Sequence, residues 1–262
     1  MHLTLSDGTR IDYEDHGDGP LALYAHGALL SREVEDQWGL LDWQAVKDLP
    51  GRRFVRYDAR SHGASGDGRP LAEDHTWERF AADLVEVLGQ LGDGHPVAGL
   101  GASLGAASLL WAAVEDPSRF DRLVLVIPPP AWEARAEKGG AYRELAELVR
   151  TQGADAFVSQ IGTGPVPPSL ADHPFPSKTV GAHPGRLPAV FEGLALSNLP
   201  PRERIAELRL PTLVLALADD PGHPLSTAEE LAGLIPGAEL HVATDSAGIG
   251  AWAQLIARFL AA

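Results

Sequence analysis

Short apolar runs alternate with amphipathic segments along most of the chain. The runs predict buried strands over residues 21–25, 53–58, 96–100, 123–127, 213–217 and 240–243. Apolar residues at helical spacing predict helices over residues 76–91, 104–114 and 252–260. Turn residues at 7–8 and 17–20 predict an opening hairpin within the first 20 residues. Strands that alternate with helices favour an α/β fold whose mostly parallel sheet is covered by helices on both faces.

The stretch 131–209 departs from this rhythm. It begins with helical sequence, in which Tyr142 to Val149 is an amphipathic piece, and turns rich in Pro and Gly from Gly162 to Pro188. We expect an insertion that lies over the strand ends, partly helical and partly irregular. A structureless surface loop is the less favoured alternative, because long loops without structure are uncommon in compact domains. The predicted organisation is a core of residues 1–130 and 210–262 with a cap of residues 131–209.

Composition narrows the function. The chain has 262 residues, which suits one large α/β domain with an insertion. Its formal net charge of -15 argues against a nucleic-acid partner, since few positive charges are available to neutralise phosphates. The same charge argues weakly against binding to an anionic membrane surface. The absence of cysteine excludes thiol catalysis, disulfides and cysteine-ligated metals.

The sequence predicts neither a cofactor nor a metal. The glycines at 99, 101 and 105 do not form a nucleotide-binding G-x-G-x-x-G with a following acidic residue, and the histidines lack the H-E-x-x-H spacing of zinc enzymes. The first residues lack the apolar core of a signal peptide, and no run is long enough to span a bilayer. We therefore expect a cytoplasmic protein that acts on a small molecule; the sequence indicates nothing about oligomeric state.

The strongest chemical signal is the segment Gly101-Ala102-Ser103-Leu104-Gly105, which has the form G-x-S-x-G. It follows a predicted strand and opens a predicted helix. Such a turn is so tight that small neighbours are required, and it presents the serine hydroxyl at the carboxyl edge of the sheet. The amides at the start of the helix favour developing negative charge. A chance Gly/Ser turn is the weaker interpretation.

At this point the chain resembles the α/β-hydrolase superfamily. His26-Gly27-Ala28 is similar to the family's H-G-x turn, residues 58–65 to its D-x-R-G-x-G-x-S segment, and residues 211–224 to its last-but-one strand and acid-bearing turn. The insertion falls where the esterase and lactonase branch carries a helical cap. The resemblance covers nearly the whole chain and implies an α/β-hydrolase fold with serine hydrolase chemistry.

The resemblance also implies roles for individual residues. Ser103 corresponds to the nucleophile, and the amides of Ala28 and Leu104 to the oxyanion hole. Asp220 corresponds to the acid of the triad. Its neighbour Asp219 stays open as an alternative, and an Asp-Asp-Pro-Gly turn without catalytic function is a further one.

The histidine that completes such a triad is missing from its usual place. In the family it lies in the loop after the last strand; here Gly248 stands there, and no histidine follows it. His223 is the best substitute, because its turn lies at the functional edge of the sheet and contains Asp220. The remaining histidines are weaker alternatives, placed at strand starts, in supporting turns or in the insertion: His26, His62, His95, His173, His183 and His241.

Two functions therefore stay open. The intact elbow favours a hydrolase of small esters, thioesters or lactones that uses Ser103 with His223 or a cap residue as an unusual base. Gly248 favours a non-hydrolytic member of the fold: a cofactor-free cyclase, isomerase or lyase, or a small-molecule binding protein. Arg135, near the start of the insertion, is a possible ligand for a substrate carboxylate or enolate, although arginine on a helix is more often solvated.

Overall fold

The sheet is continuous, with eight strands and mostly parallel pairing. The computed structural model describes residues 1–161, 166–173 and 179–262. The strands are β1 (His2–Thr4), β2 (Arg10–His16), β3 (Leu21–Ala25), β4 (Arg53–Tyr57), β5 (Val97–Ala102), β6 (Phe120–Val126), β7 (Thr212–Leu217) and β8 (Glu239–Ala243). Their order is β1-β2-β4-β3-β5-β6-β7-β8. The β1–β2 and β2–β4 pairs are antiparallel, and every later pair is parallel. The predicted opening hairpin and α/β sheet are confirmed.

Helices cover both faces of this sheet. They are α1 (Arg32–Trp38), α2 (Gln44–Lys47), α3 (Trp77–Leu91), α4 (Leu104–Glu115), α5 (Trp132–Gln152), α6 (Ala154–Gln160), α7 (Leu187–Leu196), α8 (Arg202–Ala206), α9 (Leu225–Leu234), α10 (Ser246–Gly250) and α11 (Trp252–Ala261). Helices α3, α4 and α9 pack in one apolar cluster, and α2, α10 and α11 contribute to the other. Each of the three predicted core helices exists within one residue of its predicted bounds.

Helix α3 illustrates how local sequence sets these bounds. The Thr76 hydroxyl accepts a hydrogen bond from the Arg79 amide, which satisfies one of the free donors of the first turn. Buried apolar residues repeat along the inner face, from Trp77 through Phe80 to Leu88. The helical start expected for the stretch from residue 131 is present as α5, which runs from residue 132 to 152 and contains the amphipathic piece 142–149.

Residues 131–209, which we call the inserted segment, connect β6 to β7. In their described part they form α5 to α8 with short 3₁₀ turns, and α5 packs against α7. Parts of the predicted Pro/Gly-rich stretch, 162–165 and 174–178, lie outside the described residues. The inserted segment contacts loops that follow β3 and β4: the Gly181 amide donates to the Leu29 carbonyl (2.6 Å), and the Gly63 amide donates to the Gly181 carbonyl (2.8 Å).

A search of the described helices finds none with the length and apolar character needed to cross a membrane.

Candidate active site

Ser103 occupies the sharp turn between β5 and α4. Its backbone is in the left-handed region, with φ 50° and ψ -110°, a strained conformation for a residue with a side chain. The turn requires its glycines: a Cβ on Gly105 would lie 2.0 Å from the Ala25 carbonyl oxygen, and one on Gly101 would lie 2.4 Å from the backbone of Gly105. The Ser103 amide donates to the Val126 carbonyl (2.9 Å), which fixes the turn against β6. The predicted strand–turn–helix arrangement around Ser103 is present.

His223 contacts the serine directly. Its Nε2 lies 2.9 Å from Ser103 Oγ, and its Nδ1 lies 2.7 Å from Asp220 Oδ2. Both distances are within hydrogen-bond range. The side chains of His223 and Asp220 are 24% and 15% exposed, so their hydrogen bond is partly screened from water. The structure thus brings together Ser103, His223 and Asp220, three residues that the sequence analysis had singled out.

A single turn after β7 carries both His223 and Asp220. The Asp220 carboxylate accepts from the Gly222 amide through Oδ1 (2.7 Å), and the His223 amide donates to the Asp220 carbonyl (3.2 Å). Burial by itself would raise the pKa of Asp220, but hydrogen bonds from His223 and from the backbone lower that pKa below its usual value. Asp220 is therefore ionised at neutral pH and is placed to accept a hydrogen bond from the Nδ1–H of the imidazole.

Two backbone amides face the same region. Leu104 is the first residue of α4, where amides have no partner within the helix. Ala28 follows β3 and lines the same cavity as Ser103. No acceptor is paired with either amide in the described part of the chain. Both amides therefore lie close to Ser103 in the chain or the cavity without a backbone acceptor among the described residues.

Gly248, the residue at the usual histidine position, lies in α10. Its amide donates to Asp245 Oδ1 (2.8 Å), the N-cap of that helix. A Cβ at this position would lie 3.1 Å from the Ala243 Cβ, tighter than ordinary contact. The last loop of the chain is thus a short capped helix packed on β8.

Four other candidate histidines, two in supporting turns and two in the inserted segment, are engaged elsewhere. His26 Nε2 accepts from the Ala59 amide (2.9 Å), and burial lowers the pKa of His26. Burial also lowers the pKa of His62, to about 3, which makes it a poor base at neutral pH. His173 Nε2 contacts a main-chain carbonyl at 2.8 Å, and His183 contacts an aspartate and a second carbonyl. None of these four side chains contacts Ser103.

Asp219, the alternative acid, has a different partner. Its carboxylate accepts from the Ser169 amide (3.0 Å) and from the Ser169 hydroxyl (2.5 Å). Ser169 belongs to the inserted segment and is 1% exposed. Asp219 thereby ties the inserted segment to the turn that carries Asp220 and His223.

Arg135 is not a substrate ligand in this arrangement. Its guanidinium is buried within the inserted segment, where it donates to the carbonyls of Ser197 (3.2 Å) and Leu194 (2.5 Å). It also lies over the rings of Trp77 and Tyr142, with its central carbon 4.2 and 4.8 Å from their centroids. These contacts hold the helices together, and Arg135 does not line the cavity beside Ser103.

A cavity of about 260 Å³ opens beside Ser103 and His223. Most of its wall is apolar and comes from the loop after β3, α1 and the residues that follow it, the strand ends and the inserted segment: Ala28, Leu29, Leu30, Trp38, Leu40, Leu41, Ala102, Val126, Ile127, Ile161 and Val180. Its size is close to the lower end of small-molecule sites, roughly 300–1,000 Å³. The cavity therefore fits a small, largely apolar group attached to the carbon that Ser103 would attack.

One lining residue, Glu35 of α1, was missed by the sequence analysis. It is 8% exposed, and its Oε1 accepts a hydrogen bond from the Tyr24 hydroxyl (2.7 Å). Burial raises the pKa of Glu35 to about 7, although the positive charge of Arg56 opposes the shift. The charged residues around Glu35 are typical of a helix exposed to solvent, so the sequence did not predict that this carboxyl is buried.

Within the ranges that the structure describes, no group of three or more His, Asp or Glu side chains is arranged to hold a metal ion.

Comparisons with known proteins all point to the same family. The model of the alpha/beta hydrolase family matches residues 22–248. A non-heme haloperoxidase from Rhodococcus erythropolis is 26% identical over 92% of this chain and 89% of its own. A 3-oxoadipate enol-lactonase from Acinetobacter baylyi is 25% identical over 68% of this chain and 65% of its own. Among solved structures, a hydrolase from Pseudomonas aeruginosa superposes with a TM-score of 0.77 at 26% identity, covering 100% of this chain and 98% of that one.

Proposed function

The chain belongs to the alpha/beta hydrolase family, and from this premise we propose that it hydrolyses a small ester, thioester or lactone through an acyl-enzyme on Ser103. The observation that carries the proposal is the contact of His223 Nε2 with Ser103 Oγ at 2.9 Å, combined with that of Nδ1 with Asp220 at 2.7 Å. A serine, a base and an orienting acid in this geometry are the requirements of nucleophilic acyl transfer.

In the first step, Ser103 Oγ attacks the carbonyl carbon while His223 Nε2 takes the hydroxyl proton. Asp220 accepts a hydrogen bond from Nδ1–H, which keeps Nε2 unprotonated and facing the serine. The same carboxylate stabilises the imidazolium that forms. The negative charge of Asp220 supports this role, since its hydrogen bonds lower its pKa.

The carbonyl oxygen becomes an oxyanion in this step. The amides of Ala28 and Leu104 are the donors for it, each contributing about 3 kcal/mol to the transition state in comparable sites. Their role rests on position: one amide begins α4 directly after the nucleophile, and the other lines the same cavity.

Collapse of this intermediate expels the alcohol, thiol or lactone oxygen, which receives the proton from His223. The acyl group stays on Ser103 with its chain in the apolar cavity. Water then attacks the acyl carbon while His223 takes its proton. The bond between the acyl carbon and Ser103 Oγ breaks, Oγ regains the proton from His223, and the acid product leaves. The apolar wall supports an acyl chain that is short and carries little charge.

The proposal is tested by labelling with a fluorophosphonate probe and by ester turnover. We expect a single adduct on Ser103 by intact mass, absent in Ser103→Ala. His223→Ala is expected to lower labelling and the kcat for p-nitrophenyl acetate by roughly 10⁴-fold or more.

His241→Ala is the matched control, because His241 lies on β8 with a side chain that is 42% exposed. It is expected to label and turn over like the unaltered chain. Full activity in a folded His223→Ala variant would remove this histidine from the mechanism.

The second candidate is a non-hydrolytic catalyst of cyclisation, isomerisation or elimination, or a small-molecule binding protein. The observation that favours it is Gly248 at the family's usual histidine position. On this function the oxyanion donors and the cavity position the ligand, but no acyl-enzyme forms. A folded protein with an open cavity that gives no fluorophosphonate adduct would favour this candidate over the hydrolase.

A further inference from the structure

Glu35 is an unusual group to find in the wall of this cavity. The other side chains that line it are mostly apolar, and in the described part of the wall Glu35 is the only carboxyl and no Lys or Arg is present. Burying a carboxyl in apolar surroundings costs free energy unless its oxygens are hydrogen-bonded. The position therefore needs an explanation beyond packing.

Only one of the two oxygens has a hydrogen bond. Oε1 accepts from the Tyr24 hydroxyl, whereas Oε2 is buried and has no hydrogen-bond partner among the described residues. The nearest cation is Arg56, whose Nη2 lies 3.8 Å from Oε2. Within the protein, Oε2 keeps an unused capacity to accept hydrogen bonds.

Arg56 is shared among several acids, so its contact with this carboxyl is the longest of three ion pairs. Its guanidinium lies 2.8 Å from Asp36 and 3.3 Å from Glu14, both closer than Glu35. It also donates to the Arg32 carbonyl (3.0 Å). The Gly27 amide and Arg56 both act on the Glu35 carboxyl and lower its pKa. Neither makes a hydrogen bond to Oε2 with good distance and angle, so the one well-formed hydrogen bond of Glu35 is that from Tyr24 to Oε1.

We propose that Glu35 is the specificity-determining residue of the acyl cavity, where it accepts a hydrogen bond from a hydroxyl group on the acyl chain of the substrate. The inference rests on the proposed acyl-transfer function, since it assigns the acyl group to this cavity. Glu35 lines the cavity, and a partial rotation about its last side-chain bond, a soft torsion in glutamate, turns Oε2 towards the substrate in exchange for a weaker hydrogen bond from Tyr24. Hydroxyacyl esters or thioesters are then the preferred substrates, and acyl chains that end in a carboxylate are repelled.

The test is a comparison of kcat/KM for p-nitrophenyl hexanoate, its 3-hydroxy and 6-hydroxy derivatives, and the mono-p-nitrophenyl ester of adipate. The unaltered chain is expected to prefer at least one hydroxylated ester over hexanoate by roughly 10- to 100-fold, the range for a hydrogen bond to a charged or strongly polarised group. Glu35→Met is expected to bring this ratio to about 1 and to raise turnover of the adipate ester relative to hexanoate. Glu35→Gln, which keeps an acceptor without the charge, is expected to retain part of the preference.

Glu33→Met is the matched control, on the same helix but exposed to solvent. It is expected to leave all three ratios to hexanoate unchanged. The ratio is the readout because a merely structural role of Glu35 would lower kcat/KM for every ester alike. A folded Glu35→Met variant that keeps the ratios of the unaltered chain would overturn the proposal.

A second measurement separates this proposal from the acyl-enzyme. Calorimetry on Ser103→Ala compares binding of hexanamide with that of 6-hydroxyhexanamide and 3-hydroxyhexanamide, which needs no turnover. Suppose that the unaltered chain hydrolyses none of the esters, but a hydroxyamide binds to Ser103→Ala tenfold more tightly than hexanamide does. If this gain in affinity disappears when Glu35→Met is added, the role of Glu35 stands and the hydrolase function fails. Equal binding of all three amides in a folded variant would overturn the role of Glu35.

Discussion

At His223 both ring nitrogens have a defined partner, Ser103 on one side and Asp220 on the other. The acid and the base are three residues apart on one turn, so their mutual geometry is set locally by the backbone. When this turn is in position, His223 reaches Ser103 and Asp220 is already within hydrogen-bond distance of His223. In the usual arrangement, the acid and the histidine come from two separate loops.

The two neighbouring aspartates give a sharp comparison. Asp220→Asn is expected to lower the kcat for p-nitrophenyl acetate by roughly 10³- to 10⁴-fold, because an amide does not hold the required tautomer of His223. Asp219→Asn is expected to keep activity within roughly tenfold, because Asp219 contacts Ser169 rather than the histidine. Steady-state kinetics on the two variants decides the assignment; a larger loss in Asp219→Asn than in Asp220→Asn would reverse it.

Because the pKa of Glu35 is raised, we expect the free energy of unfolding to depend on pH. Its pKa is raised from 4.5 to about 7 in the folded chain, mainly by burial, so the folded state binds this proton more tightly than the unfolded state. The stability that it contributes is therefore complete below pH 4.5 and is lost as the pH rises through 7. Between pH 5 and pH 8 the unaltered chain is expected to lose roughly 2 kcal/mol of unfolding free energy relative to Glu35→Gln.

Urea unfolding of both proteins at the two pH values measures this difference. The groups that face Glu35 are Tyr24, Arg56 and Asp36, and all three are present in both proteins. The comparison therefore isolates the one titration. A gap between the two proteins that is equal at pH 5 and pH 8 would contradict the raised pKa.

At the scale of elements, the contact of α4 with β3 positions the nucleophile. Gly105 brings the first turn of α4 against the Ala25 carbonyl, where any Cβ would lie at 2.0 Å. Leu104 is 3% exposed, so the start of the helix is fixed in the core. The orientation of the serine hydroxyl is thus a consequence of how closely a helix approaches a strand.

Gly105→Ala tests this approach. The new methyl group is expected to displace α4, lower the unfolding free energy by about 2 kcal/mol or more, and reduce kcat through the misplaced hydroxyl. Gly89→Ala in α3 is the matched control, because a Cβ there meets nothing within 4 Å. It is expected to stabilise the protein by about 0.5–1 kcal/mol with unchanged kcat. Urea unfolding and ester kinetics measure both effects, and unchanged kcat and stability in Gly105→Ala would contradict the packing argument.

The elements were largely predictable from the sequence because their signals are local. The cap of α3 at Thr76 and the apolar runs of the parallel strands each depend on a few adjacent residues. The first turns of α5 carry a weaker local signal, since they are polar and pack through the buried guanidinium of Arg135. That contact depends on carbonyls about 60 residues away in sequence.

At the scale of the whole molecule, the serine takes its partner from the turn after β7 instead of the loop after β8. Parallel strands place the loops after β5, β7 and β8 at one edge of the sheet, so both later loops lie on the functional side. Here the loop after β8 forms α10, and Gly248 lies within that helix.

Gly248→His is expected not to increase ester turnover. Ser103 already has a partner, and a Cβ at position 248 would press on Ala243 at 3.1 Å. A measured kcat equal to or below that of the unaltered chain would agree with His223 as the base. A gain of 100-fold or more would indicate that the native site lacks a working base and would favour the non-hydrolytic function.

The sequence by itself determined the order of strands and helices, the elbow around Ser103 and the presence of glycine at position 248, where the family usually has a histidine. Each of these features depends on adjacent residues or on a motif. It left His223 as one of several candidates, since hydrogen-bond reach between residues 120 positions apart depends on how β5 and β7 pair with β6. The burial of Glu35 was decided only by tertiary structure. A carboxylate in a charged stretch becomes part of an apolar cavity when its helix packs over Tyr24 and Arg56, and no local pattern encodes that contact.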